Sequence, residues 1–301
     1  MTHMLTLICN PNTPVLSGAH EEWARDYLSA SGADVGELRK LNKHVAFELP
    51  FAGADVSARS LEEAFEDTFP DAPVDVVVVP NSNRRKTLLI ADMDSTMINQ
   101  ECLDELADFA GLKDKISAIT ERAMAGELSF EPALKERVGL LAGLEESSLQ
   151  RAFDERITFM SGARELVQTM KANGALTCLV SGGFTFFTAR VADALGFDLH
   201  FGNTLLAENG ALTGKVGEPI LGKQAKLETL RRLIEEKTLE SNDTLAVGDG
   251  ANDQAMIEAA GLGVAYHPHK ILADAADVRI QYGDLTALLY LQGYNKSEFA
   301  A

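Results

Sequence analysis

The chain has 301 residues, 46% hydrophobic and 24% charged, which is a globular composition with enough apolar mass for two domains or one large domain with an insertion. Its 45 acidic against 27 basic residues give a formal net charge of -18, which argues against a nucleic-acid or anionic-membrane partner because either would be repelled over most of the surface. Three widely spaced cysteines, Cys9, Cys102 and Cys178, suggest neither a disulfide framework nor a zinc site; signal-peptide patterning and a run near the roughly 20 apolar residues of a membrane span are both missing, so a cytoplasmic protein is expected.

In chain order, residues 5–9 (LTLIC) predict a strand, and 21–30 a helix with Trp23, Tyr27 and Leu28 at helical spacing, ended by Gly32. Residues 35–41 and 44–49 predict two more strands, 60–69 a helix closed by Pro70, and 74–79 a last strand. The order βαββαβ is that of an α+β ferredoxin-like domain over residues 1–80. Residues 81–86 are polar and turn-rich and read as a linker.

From residue 87 the pattern changes. Short apolar runs without alternation at 87–91 (TLLIA), 176–180 (LTCLV) and 244–247 (TLAV) suit strands buried on both faces. Helical stretches at 162–172, 184–195, 223–236 and 253–260 lie between and after them, so an α/β domain with a Rossmann-like parallel sheet is expected over 87–301. From 103 to about 155 there is only helical patterning, as expected of a helical cap, at about 98–158, inserted after the first strand. Asn209-Gly210 signals a hairpin turn, and His267 and His269, around Pro268, read as structural or surface residues.

Ligands in open parallel sheets bind beyond the carboxyl ends of the strands. The first buried run ends in Asp92-Met93-Asp94-Ser95-Thr96, and two close carboxylates need a cation, a shared proton, or both. Alone, such a pair more often caps a helix. The run at 244–247, however, ends in Gly248-Asp249-Gly250-Ala251-Asn252-Asp253, and carboxylates converging from separate strands suit a hard cation such as Mg2+. The calcium alternative lacks the spacing of an EF-hand loop. The run at 176–180 ends in Ser181-Gly182-Gly183, whose small residues let backbone N–H groups face a phosphate, although such a triplet is more often only a turn. Lys223 and Lys226 open the next helix against its dipole, a hint of an anion to bind, with solvated lysines as the plainer reading.

These four motifs, in this order, resemble those of the haloacid dehalogenase superfamily. The stretches 92–101, 130–141 and 180–184 are similar to the phosphoserine phosphatases within it, the resemblance covering about residues 87–290. The resemblance implies Asp92 as a nucleophile forming an aspartyl-phosphate, and Asp94 as general acid and then base. It implies Mg2+ at Asp92, the Asp94 carbonyl and Asp249, with Asp253 behind them. Ser181, Gly182 and Lys226 would hold the phosphoryl group, with Asn252 in support. Glu101 and Arg137 would take the ammonium and carboxylate of phosphoserine, and Met124 and Phe130 would wall the pocket. The N-terminal domain resembles the ACT domains often fused to these enzymes in element order only, and a homodimer through its sheet edge or face is one expectation. Two other readings stand beside hydrolysis: a phosphotransferase to an alcohol such as homoserine, and an amino-acid-sensing regulatory protein.

Overall fold

The structure is a computed structural model and describes residues 1–54, 56–124, 127–268, 272 and 276–300. The chain divides into two compact units: Met1–Leu89 with Ser161–Leu176 and Leu239–Ala301, and Ile90–Met160 with Thr177–Thr238.

In the first unit, β1 (His3–Cys9), α1 (Gly18–Ala30), β2 (Asp34–Val35), β3 (Arg39–Asn42), β4 (Ala46–Ala52), α2 (Ala58–Thr68) and β5 (Val74–Pro80) follow in turn. The strands form an antiparallel sheet of order β2-β4-β1-β5, with β3 also paired to β4. Alternation puts Leu5, Leu7 and Cys9 on one face with Phe47, Leu49 and Val76, where they bury Leu28 of α1 and Leu61 and Phe65 of α2. The strand expected at 35–41 is two pieces. Gly36 interrupts it against Pro50, where a Cβ would lie 2.8 Å from Pro50 Cγ. The first helix begins three residues earlier than expected, at Gly18 behind the N-cap Ser17.

The opposite sheet face, with Met4, Thr6 and Ile8 at most 3% exposed, is covered by α11 (Ala287–Leu291), all five of whose residues are buried. The open sheet face offered above as a route to a dimer is therefore closed within the chain. The polar segment 81–86 is no free tether. Arg84 donates to the fully buried Glu48 at 2.7 Å and to the carbonyls of Leu291 and Tyr290, while Lys86 Nζ donates to the Asn242 carbonyl at 2.6 Å.

β11 (Thr244–Gly248), α10 (Gln254–Ala259), β12 (Leu262–Tyr266) and β13 (Val278–Ile280) complete this unit with α7 (Ala163–Ala172), the three strands running parallel with Val247 beside Val264 and Val264 beside Val278. His267 stacks on Tyr266 and pairs through Nε2 with the Gly283 carbonyl, a structural role; His269 lies outside the described residues.

The second unit takes in the end of β6 (Leu88–Ala91), helices α3 (Cys102–Phe109), α4 (Lys113–Met124), α5 (Phe130–Gly139) and α6 (Ser147–Arg156), then β7 (Leu176–Phe184), α8 (Thr185–Leu195), β8 (Leu199–Asn203), the hairpin β9 (Leu205–Glu208) and β10 (Ala211–Val216), and α9 (Lys223–Lys237). Within this unit β7 and β8 pair in parallel, with Val180 beside Phe201. Strand β8 escapes sequence reading because His200 and Gly202 break its apolar pattern. The four helices are an insertion with a closed stem, where Met160 N donates to the Met97 carbonyl and Asn99 N to the Thr158 carbonyl, both at 3.0 Å. Asn209 and Gly210 turn the hairpin with φ of 52° and 81°, as expected of that dipeptide. The hairpin bonds to the end of α5 and beyond, Gly143 N to the Leu212 carbonyl and Leu212 N to the Leu144 carbonyl, each at 2.8 Å.

One buried acid gives the first unit a pH signature. Asp75, on β5, accepts backbone N–H bonds from Gln281 and Gly283 at 2.7 Å and from Tyr282 at 3.2 Å. Burial still pushes its carboxyl up to about 6, against these donors and the His267 charge. The folded state thus binds this proton more tightly than the unfolded chain, so stability falls as pH rises from about 4 to 6 and is level above. Denaturant unfolding at pH 4.5 and 7.5 should show about 2 kcal/mol of pH-dependent stability that Asp75→Asn removes.

Candidate active site

β6 is fully buried, and at its end Asp92 is 4% exposed. A carboxylate so placed needs compensation. Lys226 Nζ lies 2.7 Å from Asp92 Oδ1, with both side chains buried, and Met93 N donates to the same oxygen at 2.7 Å. Lys226 reaches Asp92 from the first turn of α9, whose N-cap is Gly222; the lysine set against a helix dipole therefore meets its anion within the protein. Lys223 begins α9, and its side chain is outside the described part.

Asp94 accepts from Cys102 N at 2.9 Å through Oδ1 and from Ser181 Oγ at 3.0 Å through Oδ2. Burial, then the Asp92 charge, raise its pKa, and the Cys102 and Ser181 hydrogen bonds oppose them. Two neighbouring carboxylates are thereby separated in character: one is paired with a cation, the other is biased toward its protonated form. Ser181 is 2% exposed and its Oγ also accepts from Gly183 N at 2.8 Å. β7 continues past the expected end at Val180, through Ser181-Gly182-Gly183 to Phe184, and the helix expected after the triplet, α8, begins at Thr185.

Glu101 is the N-cap of α3 and accepts from Ser95 Oγ at 2.8 Å, Ser95 itself adopting a left-handed φ of 54°. Arg137, half-buried on α5, donates to the Ala133 carbonyl at 3.3 Å and to Thr120 Oγ1 at 3.5 Å. Burial lowers its pKa and the charges of Asp104 and Glu101 oppose this, so Glu101 and Arg137 share one electrostatic neighbourhood. Phe130, 38% exposed, sits over two glycines, where a Cβ at Gly182 would lie 3.3 Å and one at Gly222 3.4 Å from its ring. Met124 ends α4, and its side chain is not among those described. Sequence reading missed Cys102 and Asn203, whose contacts run through backbone groups or across the fold and leave no local pattern, and Ser95, whose bond to Glu101 needs a left-handed turn to form.

In the other unit, Asp249 is 8% exposed and Asp253 fully buried, following the end of β11. Gly250 N donates to Asp253 Oδ2 at 3.2 Å, while Asn252 is exposed. A Cβ at Gly248 would meet Asp253 Cγ at 2.3 Å, so only glycine lets that carboxylate fold back over the turn.

Residues 89–258, more than half the chain, match the haloacid dehalogenase-like hydrolases. The chain is a haloacid dehalogenase-like hydrolase. This hydrolase is 44% identical over 217 residues to a phosphoserine phosphatase of Archaeoglobus fulgidus, covering 71% of the chain and 63% of that relative, so it spans less than two thirds of that protein's length. It is 43% identical over 227 residues to a phosphoserine phosphatase of Haemophilus influenzae, covering 75% of this chain and 72% of the relative. A crystal structure of a haloacid dehalogenase family hydrolase from Salmonella enterica serovar Typhi superposes with a TM-score of 0.83 at 26% identity, over 96% of this chain and 98% of that one. Among the described residues, no helix of the hydrolase is long and apolar enough to cross a membrane.

Gly248→Ala should destabilise the hydrolase by about 1–3 kcal/mol through overpacking against Asp253, read as a lower urea midpoint at unchanged slope.

Proposed function

We infer that this hydrolase is a phosphoserine phosphatase, cleaving O-phospho-L-serine to L-serine and phosphate through an aspartyl-phosphate. The observation that carries the reading is the pair of unlike carboxylates, Asp92 held by Lys226 and Asp94 biased toward protonation, with Glu101 and Arg137 in the same unit. The naming of its relatives supports the substrate.

Asp92 attacks phosphorus as the serine oxygen leaves; a carboxylate is ionised at neutral pH and needs no base to activate it. Asp94 gives its proton to that oxygen. It then takes one from the water that attacks the aspartyl-phosphate, releasing phosphate and restoring both acids. Ser181 Oγ, the Gly182 backbone and Lys226 neutralise and orient the phosphoryl oxygens. Glu101 takes the substrate ammonium and Arg137, with its forked donors, the carboxylate. Phe130 and Met124 wall the pocket.

Asp92, Asp249 and Asp253 are three carboxylates of the chemistry a hard divalent cation requires, and the donor set fits Mg2+. With the Asp94 carbonyl they would hold it, Asn252 supporting the cluster, and the ion supplies charge for the phosphoryl oxygens. Residues 87–301 are read as the catalytic domain with the helices of 98–158 as its cap, residues 1–80 as an ACT-like domain and 81–86 as the joint. The placement is cytoplasmic, the partner a small molecule, and assembly as a homodimer is left to the paths other than the covered sheet face.

Phosphate release from L-phosphoserine should require Mg2+, stop with EDTA, and fall on the order of a thousandfold or more in Asp92→Asn. Turnover of an aryl phosphate without phosphoserine would keep the nucleophile and refute the substrate. Arg137→Ala should raise KM for phosphoserine roughly 10- to 100-fold, the loss of a charged hydrogen bond of about 1.5–3 kcal/mol, while sparing the aryl ester.

A further inference from the structure

We propose that Asn203 is a positioning residue that sets the phosphoryl half of the site by locking the Ser181-Gly182-Gly183 segment to the chain that carries Lys226. The inference rests on the phosphatase reading for its substrate, though not for its geometry.

Asn203 ends β8 and is 2% exposed. A buried side-chain amide must spend its donors and acceptor, and this one does so on two segments far apart in sequence. Its Oδ1 accepts from Leu221 N at 2.8 Å and its Nδ2 donates to the Leu221 carbonyl at 3.1 Å, a paired grip on one residue's backbone. The same Nδ2 donates to the Gly182 carbonyl at 2.8 Å. On one side, the Gly182 carbonyl is part of the peptide whose nitrogen belongs to Gly183, which donates to Ser181 Oγ, so fixing that carbonyl fixes the plane that orients the serine hydroxyl. On the other side, Leu221 precedes Gly222, the N-cap of α9, and Lys226 reaches Asp92 from that helix's first turn. One amide thereby sets the separation of the serine hydroxyl and the lysine ammonium, the two groups that must meet the same phosphoryl oxygens.

Two further features lie beside the clamp. Gly182 and Gly222, the residues on either side of it, are the pair on which the Phe130 ring rests. Neighbouring Gly202 is likewise constrained, since a Cβ there would lie 3.1 Å from the Gly183 carbonyl and 3.2 Å from Thr185 N. The hydrogen bonds of the Asn203 side chain go to Gly182 and Leu221 rather than to Glu101 or Arg137, so its effect should fall on the groups that hold phosphate.

The test uses the full chain with Mg2+, comparing wild type with Asn203→Ala and the isosteric Asn203→Asp, which keeps the acceptor for Leu221 N and loses both donor bonds. Inhibition constants for inorganic phosphate and for L-serine are measured beside kcat/KM for phosphoserine and p-nitrophenyl phosphate. In both variants the phosphate constant should rise about tenfold or more, the scale expected when hydrogen bonds that orient a reacting group are lost. The serine constant should stay within about twofold, and kcat/KM should fall alike on the two esters. Unchanged phosphate inhibition in the folded Asn203→Asp protein would overturn the proposal. So would equal rises for serine and phosphate, which would mean general loosening. A wild type without phosphoserine turnover would sink the substrate reading alone, because the phosphate and aryl-ester arms still report on Asn203.

Discussion

Lys226 and Asp92 form the contact on which the site depends. A carboxylate buried at a strand end has lost its hydration, a cost that only a partner charge and hydrogen-bond donors can offset. The ammonium at 2.7 Å offsets that penalty, and the bond from Met93 N adds to it on the same oxygen. Because both charges are out of water, each would be costly without the other. Asp94 stands beside this pair, and burial first, then the Asp92 charge, raise its pKa.

Backbone geometry brings these groups to their places. Gly248 lets Asp253 fold over its own turn, and Gly182 and Gly222 let an aromatic ring approach the backbone on either side of the Asn203 clamp. Each position gives up a side chain's packing for a close approach. In the first unit the same economy of polar groups appears at Glu48 and Asp75, buried acids held by arginines in one case and by backbone N–H donors in the other. These contacts join residues of the first eighty to the final stretch of the chain, and they turn the polar segment 81–86 into a docked strap.

How much of this could be read in advance follows from the range of each interaction. Asp92, Asp94, Ser181, Asp249 and Asp253 stand out in the sequence because each follows an apolar run, where a parallel sheet delivers side chains to ligands, and Lys226 because it opens a helix against its dipole. The hairpin at Asn209-Gly210 was legible because φ above zero at two successive positions is a local demand. Strand β8 was not, since its pairing with β7 comes from across the fold and its five residues show little of their own preference. Extension of β7 through two glycines was missed for the same reason: strand pairing overrode a sequence that prefers to turn.

By itself the sequence determined the type of sheet, the order of the acidic motifs and the family, because apolar periodicity and residue chemistry act over a few neighbours at a time. Only the tertiary structure decided which oxygen of Asp92 meets Lys226, which donors oppose the rise at Asp94, that Asn203 ties two distant segments together, and that α11 closes the sheet face. Those are matters of distance between residues tens to hundreds of positions apart, and such distances are set by packing rather than by local preference.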